Sequence, residues 1–250
     1  MNIDDLPTPL YIAHRGLSAR FPENTLTAFN AAMDAGAQMI ELDVCLSSDR
    51  QLIVIHDDTV DRTTDGSGAV KALTLKQLCR LDAGGWFDPR FEGERLPTLE
   101  QALDAAKGRV SVNIEIKPEA VDPRDAGHAV ERQVLTLVHD KGMTDDVLVS
   151  SFDWRVLANL RRLDPTIAIG LLSEVPADDR LLAWHRGLNA YSWHPDYRVL
   201  TRSQVDTLHD AGARVFPYAV GGRIDTRGML AMGVDGMIVD GPQQMKTVGH

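Results

Sequence analysis

Cysteine is scarce in this 250-residue chain, and basic residues are outnumbered by acidic ones. Two cysteines, Cys45 and Cys79, do not support a disulfide framework, and a reducing compartment such as the cytoplasm suits this composition. Lysine and arginine total 26 against 36 aspartates and glutamates, which gives a net charge of −10. So acidic a chain argues against binding to nucleic acid or to an anionic membrane surface.

Long apolar runs are also missing, and none approaches the length of a membrane span. The first ten residues, MNIDDLPTPL, lack the basic segment and the apolar core of a signal peptide. We therefore expect a cytoplasmic protein without stable membrane association. The length and the ordinary apolar fraction, 44%, predict a single domain over residues 1–250.

Strand-like and helical runs alternate along most of the chain, which is typical of a parallel sheet covered by helices. The strand-like runs are 10–13, 39–44, 51–56, 110–117, 147–152, 167–172, 190–194, 214–220 and 236–240. The helical runs are 24–35, 99–106, 125–139, 154–163, 178–185, 203–211 and 226–232. Thr98 with Gln101, and Thr201 with Gln204, have the spacing of a helix capping box.

The strand 51–56 is one too many for a closed eight-stranded barrel. Only the segment CLSSDR separates it from the strand 39–44, which is too short for a helical crossover but suits a hairpin. A turn centred near Asp49 would place His56 level with Leu42. Eight parallel strands remain, and we predict an α/β fold of the (β/α)8 barrel type.

The segment 57–97 interrupts the alternation. It is rich in glycine, aspartate and arginine, and its single short helical run covers 75–81. A loop of this length inside a compact domain is usually functional or disordered. Its aromatic residues, Trp86, Phe87 and Phe91, indicate a small packed lid inserted after the second strand.

The stretch VSVNIEIKP, residues 110–118, alternates strictly between apolar and polar residues. In a barrel, outward residues pack on helices, and inward residues near the carboxyl ends of strands form the active site. Glu115 and Lys117 are therefore expected at the mouth of the barrel. A structural Glu–Lys ion pair is the alternative.

Other polar residues also end predicted strands. His14 and Arg15, in HRG, offer a titratable group beside a phosphate or carboxylate binder, although a plain surface loop has the same composition. Glu41 and Asp43 share one face of IELDV, which suits either a polar barrel mouth or a half-exposed edge strand. His56 ends the return strand of the hairpin, where a structural histidine is also common.

Three of these residues are oxygen donors without a cysteine nearby: Glu41, Asp43 and Glu115. Such a set favours a hard divalent cation, Mg²⁺ or Ca²⁺, over zinc. Trp193 and Tyr218 lie near the ends of later strands and would line the cleft or serve in packing.

Taken together, these motifs resemble the glycerophosphodiester phosphodiesterase family, in its short cytoplasmic bacterial form. The motifs that carry the resemblance are HRG, PENT (22–25), IELDV, VIHDD (54–58), RTTDGSG (62–68), LDAGGWF (81–87), LPTLEQAL (96–103) and NIEIKP (113–118). The resemblance covers nearly the whole chain and implies a (β/α)8 barrel with an insertion after the second strand. One departure is YAVG at 218–221, where the family carries WTVN.

The family's residue roles transfer as expectations onto the matching positions. Glu41, Asp43 and Glu115 would bind one divalent cation, and His14 and His56 would be the acid–base pair. Arg15 and Lys117 would bind the phosphate oxygens. Trp193 and Tyr218 are expected to contact the substrate from their positions near strand ends, and the YAVG departure puts the family's own substrate contact at 218 and 221 in doubt.

The expected activity is hydrolysis of a glycerophosphodiester to glycerol 3-phosphate and an alcohol. The attacking oxygen would come from water or from the glycerol itself. Three alternatives stay open: cleavage of lysophospholipids or phosphoinositides on a related barrel, binding of phosphorylated ligands without turnover, and an enolising enzyme. The last leaves the two histidines and HRG without a joint purpose.

Overall fold

A computed structural model describes residues 2–121, 130–219 and 225–241, and nine strands and eight α-helices lie within these ranges. The strands are β1 (Leu10–Ala13), β2 (Met39–Leu46), β3 (Leu52–Val54), β4 (Ser111–Ile116), β5 (Val147–Ser151), β6 (Ala168–Ser173), β7 (Ser192–Pro195), β8 (Arg214–Val215) and β9 (Gly236–Val239). The helices are α1 (Leu26–Asp34), α2 (Leu75–Leu78), α3 (Leu99–Ala106), α4 (Val130–Asp140), α5 (Trp154–Leu163), α6 (Asp179–Leu188), α7 (Arg202–Asp210) and α8 (Thr226–Ala231).

Eight of the strands form the predicted parallel barrel. They are ordered β8-β7-β6-β5-β4-β2-β1-β9, and the antiparallel β3 pairs with β2 alone. The barrel closes between β9 and the segment after β8, where Tyr218 and Ile238 form a parallel bridge. The amide of Ile238 also donates to the carbonyl of Pro217 at 3.0 Å.

The β2–β3 hairpin has the predicted register. Val44 lies opposite Val54, and the same register places His56 level with Leu42. The amide of Ile55 continues this pairing by donating to the carbonyl of Asp43 at 3.1 Å. The hairpin therefore returns His56 to the rim where β2 presents its polar face.

The two faces of β4 meet different surroundings, as the alternation predicts. Val112, Ile114 and Ile116 are fully buried in one cluster with apolar residues of the surrounding helices. A separate apolar cluster fills part of the barrel interior, and it includes Leu10, Ile12, Met39, Leu148, Phe216 and Ile238. Ser111, Asn113 and Glu115 occupy the alternate positions of β4 and are buried as well. The barrel interior is therefore polar along β4.

Apolar residues of the segment 57–97, among them Val60, Val70 and Leu78, form a small cluster with Cys45 and Ile53 of the β2–β3 hairpin. The predicted aromatic residues pack on one another. The ring centroids of Trp86 and Phe87 are 5.6 Å apart, and those of Phe87 and Phe91 are 5.9 Å apart. Phe91 also lies 5.5 Å from Phe21 of the β1–α1 loop. These contacts hold the insertion against the barrel.

Several predicted element boundaries are wrong. Helix α1 does not include Asn24, whose φ of 57° is left-handed, and begins after Thr25, whose side chain accepts from the amide of Ala28. The predicted strand 214–220 is regular only at Arg214–Val215, because Pro217 has no amide hydrogen for a continuous ladder. Residues 125–129 of the predicted helix 125–139 lie outside the described residues, and so does Val220.

The predicted capping boxes at Thr98 with Gln101 and Thr201 with Gln204 are both present. Over the described part of the chain, no helix combines the length and the apolar composition that a membrane crossing requires.

Candidate active site

Three carboxylates meet at the mouth of the barrel. Glu41 and Asp43 lie on β2, and Glu115 lies on β4 directly beside Asp43 in the parallel ladder. All three are buried, and one carboxylate oxygen from each lies within 4.8 Å of the others. Adjacent parallel strands thus gather the predicted metal ligands at one point.

The surroundings treat the three carboxyl groups differently. Burial, and then the charges of Asp43 and Glu115, raise the pKa of Glu41 well above its ordinary value. Burial and Asp43 raise the pKa of Glu115 to about 7, against the opposing effect of Lys117. Burial would also raise the pKa of Asp43, but Arg15 and Lys117 outweigh it and lower that pKa to about 2. Arg15 and Lys117 therefore do not fully neutralise the negative charge of the three carboxylates.

This donor set fits a hard divalent cation. All of its donor atoms are carboxylate oxygens, which suit Mg²⁺ or Ca²⁺, and their mutual repulsion in a buried position is relieved by a bound cation. Glu41, Asp43 and Glu115 are therefore the residues that could hold a metal ion in this site.

Two basic side chains lie beside the carboxylates. The backbone amide of Arg15 donates to Glu41 at 2.9 Å, and its Nε lies 3.4 Å from an oxygen of Asp43. Arg15 has a left-handed φ of 53°, so the turn after β1 directs its amide back toward β2. Lys117 donates from Nζ to Glu115 at 2.8 Å and lies 3.6 Å from Asp43.

Two imidazoles complete the site, and each is held by its own carboxylate. The Nδ1 of His14 lies 2.7 Å from Asp240, and the Nδ1 of His56 lies 2.6 Å from Asp57. Because an ionised carboxylate only accepts hydrogen bonds, Nδ1 carries the proton in each pair, and Nε2 is left for other chemistry. Burial, aided by the charges of Arg15 and Lys117, lowers the pKa of His56 despite the opposing carboxylates.

These groups line a cavity of about 280 Å³. Its wall consists of His14, Arg15, Glu41, His56, Asn113, Glu115, Lys117, Phe152, Leu172, Glu174, Tyr218 and Ile238. A second cavity of about 380 Å³ shares His14, Arg15 and His56 with the first. The two histidines therefore stand where the cavities meet.

Comparison with known proteins agrees with this constellation. Residues 14–244 match the glycerophosphoryl diester phosphodiesterase family. The chain belongs to this family. The resemblance drawn from the sequence motifs is thereby confirmed.

Two relatives within the family are similar over most of their length. The chain is 39% identical over 239 residues to the glycerophosphodiester phosphodiesterase of Caldanaerobacter subterraneus, a match covering 94% of this chain and 96% of the relative. It is also 31% identical over 251 residues to the Bacillus subtilis glycerophosphodiester phosphodiesterase, which covers 96% and 86% of the two chains.

Solved structures of similar proteins share the barrel. The Agrobacterium tumefaciens glycerophosphodiester phosphodiesterase superposes with a TM-score of 0.81 at 29% identity, covering 97% of this chain and 100% of the other. An Oleispira antarctica phosphodiesterase, solved with the product sn-glycerol-3-phosphate, gives a TM-score of 0.83 at 27% identity over 96% of both chains. The predicted (β/α)8 fold is confirmed.

Within this family framework, the two predicted aromatic contacts differ. Tyr218 lines the cavity and makes an edge-to-face contact with Phe152, with ring centroids 6.1 Å apart. Trp193 does not reach the cavity, and the prediction that it lines the cleft is wrong. It is fully buried in the core cluster, where its Nε1 donates to Ser173 at 2.9 Å. Of the YAVG departure from the family pattern, Gly221 lies outside the described residues.

Trp193 faces away from the barrel interior because the inward positions of β7 are its two neighbours, Ser192 and His194. Oγ of Ser192 and Nε2 of His194 form a hydrogen bond of 2.8 Å. An alanine-like Cβ built at Gly170, on the adjacent β6, would meet the same His194 ring. The polar residues of β7 therefore point inward and the tryptophan outward.

Three residues that sequence reasoning missed form hydrogen bonds to the predicted site residues and orient them. Asn24 donates from Nδ2 to Asp43 at 2.9 Å and accepts from the Asp43 amide at 3.4 Å. Asp57 and Asp240 orient the two imidazoles. Asn24 and Asp57 stand inside the motifs PENT and VIHDD, which is a signal that could have singled them out.

Proposed function

We propose that this protein hydrolyses glycerophosphodiesters to glycerol 3-phosphate and an alcohol. Full-length relatives carry the name of this activity, and a similar structure holds its phosphorylated product. The observation that carries the proposal is one cavity lined by two carboxylate-held imidazoles, two basic side chains and two members of a buried cluster of three carboxylates. We infer that Glu41, Asp43 and Glu115 hold one divalent cation.

Substrate binding rests on positive charge concentrated in an otherwise acidic protein. Arg15 and Lys117 line the cavity and are the basic groups nearest to the carboxylates, so they are placed to bind the phosphate oxygens. The divalent cation, when bound, supplies further charge stabilisation to the diester and to its transition state. The cavity volume of about 280 Å³ suits a small water-soluble diester better than a lipid acyl chain.

The two histidines divide the proton transfers. The lowered pKa of His56 leaves it neutral near pH 7, and its Nδ1 donates to Asp57. We assign His56 as the general base, which accepts the proton of the attacking hydroxyl at Nε2. His14, held by Asp240, is the general acid that protonates the departing alkoxide from its Nε2. Each such step contributes about 10²–10⁴-fold to the rate.

A coupled assay for glycerol 3-phosphate tests the activity. We expect turnover of glycerophosphocholine or another soluble glycerophosphodiester with Mg²⁺ or Ca²⁺, and loss of turnover in a chelator. His14→Ala and His56→Ala should each lose at least about 10²-fold in kcat. His139→Ala, at a half-exposed histidine remote from the cavity, is the matched control.

Two results would contradict the proposal. One is the absence of turnover across a panel of glycerophosphodiesters and both metals. The other is faster cleavage of a lysophospholipid than of the corresponding soluble diester, which would favour the lysophospholipase alternative. Assaying both substrates at equal concentration below the micelle threshold separates these outcomes.

A further inference from the structure

Arg62, in the inserted segment, binds two carboxylates at once. Its Nε and Nη2 donate to the two oxygens of Asp57 at 2.7 and 3.0 Å. Its Nη1 and Nη2 donate to the two oxygens of Glu23 at 2.7 and 2.9 Å. All three guanidinium nitrogens are therefore engaged, in two forked contacts that only an arginine can make.

Each of these carboxylates also holds a residue of the site. An oxygen of Glu23 accepts from Nη1 of Arg15 at 2.8 Å. An oxygen of Asp57 lies 2.6 Å from Nδ1 of His56. Arg62 is thus the common partner of the groups that orient the phosphate-binding arginine and the proposed general base.

We infer that Arg62 is a positioning residue, which fixes Arg15 and His56 relative to each other through Glu23 and Asp57. The inference rests on the proposed function, since that function gives Arg15 and His56 their roles. It also gives the insertion a purpose: Asp57 and Arg62 both belong to it, whereas Glu23 comes from the β1–α1 loop.

Charge balance explains why the site would need this arginine. Glu23 and Asp57 line the cavity that adjoins the histidines, where an anionic phosphodiester must approach. Without Arg62, the negative charges of both carboxylates would face the substrate with less positive charge to offset them. Glu23 would also bind Arg15 more strongly, because it would no longer be shared with Arg62. Substrate binding and proton transfer would then both suffer, so KM should rise and kcat should fall.

The surroundings of Arg62 indicate that its ion pairs matter little for global stability. Its side chain is 43% exposed, and its partners Glu23 and Asp57, at 12% and 25%, keep some access to water, so the loss of the arginine should cost little free energy of unfolding. Its guanidinium carbon lies 6.0 Å from the centre of the Trp86 ring, which ties the arginine to the aromatic part of the insertion. A loss of activity without a loss of stability would therefore mark a positioning role.

The test compares Arg62→Ala and Arg62→Lys with Arg155→Ala. Arg155 makes a similar forked contact with Asp153 but lies on α5, outside both cavities. With glycerophosphocholine and saturating divalent cation, we expect kcat/KM to fall about 10–100-fold in Arg62→Ala, through both kcat and KM. The kcat/KM of Arg62→Lys should lie between those of Arg62→Ala and the wild type. The kcat/KM of Arg155→Ala should stay within about twofold of the wild-type value.

Two further measurements separate positioning from a merely structural role. Millimolar guanidinium in the assay should restore part of the activity of Arg62→Ala and leave Arg155→Ala unchanged. Adding Glu23→Gln to Arg62→Ala should lower the raised KM, because the uncompensated carboxylate is removed. Thermal unfolding midpoints of Arg62→Ala and Arg155→Ala should agree.

Each contrary outcome has a distinct meaning. An inactive wild-type protein overturns the proposed function itself. An active wild type with Arg62→Ala as active as Arg155→Ala overturns the inference alone. If Arg62→Ala loses its folded structure and Arg62→Lys, which stays folded, shows no change in kcat or KM, the positioning role is also refuted.

Discussion

His14 and Asp240 are 226 residues apart in the chain, yet Nδ1 of the histidine lies 2.7 Å from an oxygen of the aspartate. His14 directly follows β1 and Asp240 directly follows β9, and these strands pair in parallel with Ala13 beside Val239. The closure of the barrel therefore builds this contact. Ser18 lies beside this pair: its Oγ donates to the backbone carbonyl of His14 at 2.7 Å and lies 3.3 Å from the same Asp240 oxygen.

Asp240→Asn should lower kcat by about 10²–10⁴-fold, the range that one acid–base group supplies. An amide can present either its oxygen or its amino group to Nδ1, so the ring of His14 loses its fixed tautomer and orientation. Steady-state kinetics with a soluble glycerophosphodiester measure the effect. Asp206→Asn, at an exposed aspartate of α7 paired with Arg202, is the control and should match the wild type. Wild-type kcat in Asp240→Asn would contradict the assignment of His14.

A divalent cation should stabilise the protein against heat, because it offsets the repulsion among Glu41, Asp43 and Glu115. At a cation concentration of about 100 times Kd, the gain is about 2.7 kcal/mol, or about 5–10 °C in Tm for a chain of this size. Thermal unfolding followed by circular dichroism at pH 8, with chelator or with Mg²⁺ or Ca²⁺, measures the shift. An unchanged wild-type Tm would contradict a metal site at these residues.

Glu41→Gln should stabilise the metal-free protein, because it removes one negative charge from the buried carboxylate cluster. The pKa of Glu41 is raised in the folded state, so stability is lost as pH rises from the ordinary carboxyl pKa to that raised pKa, and the full loss persists at higher pH. In chelator at pH 8, the variant should therefore unfold at a higher temperature than the wild type. It should also lose the stabilisation by cation and the diesterase activity. Glu100→Gln, at an exposed glutamate of α3, is the matched control.

Those features of the site that follow from local patterns were predictable from the sequence. The alternation of β4 placed Glu115 inward, and the short connection after β2 set the register that brings His56 back to Leu42. Both inferences use the period of two along a strand, which depends on neighbours in sequence alone. The carboxylate cluster then follows from the adjacency of β2 and β4.

Contacts between distant segments were not predictable in the same way. Asp240 meets His14 only because β9 closes the barrel, and Arg62 reaches Glu23 only through the path of the insertion. Trp193 was misplaced for a different reason. Both faces of a barrel strand are buried, so burial does not say which face is inward, and the interior here takes the polar His194.

His194 should make the stability of the protein depend on pH. Its complete burial lowers its pKa to about 3, so His194 stays neutral in the folded protein down to that pH. In the unfolded chain the same imidazole takes up a proton near pH 6.5. Between these values the unfolded state binds one more proton, so stability is lost as pH falls below about 6.5. The loss from this residue is about 1.4 kcal/mol per pH unit once fully developed.

Urea unfolding from pH 7.5 to 4.5, with wild type and His194→Asn side by side, isolates this contribution. The variant has a constant packing defect, but its free energy of unfolding should decline less steeply with acid. The two curves should therefore converge as pH falls. Parallel curves would show that His194 is protonated in the folded protein as readily as in the unfolded chain.

Gly170 leaves the space that the buried His194 ring occupies. A Cβ at this position would lie 2.7 Å from Nε2 of His194 and 3.0 Å from Oγ of Ser192, closer than such atoms approach. Gly170→Ala should therefore cost about 1–3 kcal/mol of stability through overpacking. Gly187→Ala, in α6 with no heavy atom within 4 Å of its added Cβ, should be neutral or stabilising by up to about 1 kcal/mol.

Combining Gly170→Ala with His194→Ala should cost less than the sum of the two single changes, because the methyl group then enters the space that the imidazole vacates. Strict additivity in urea unfolding would show that the close approach of the ring is not what requires glycine on β6.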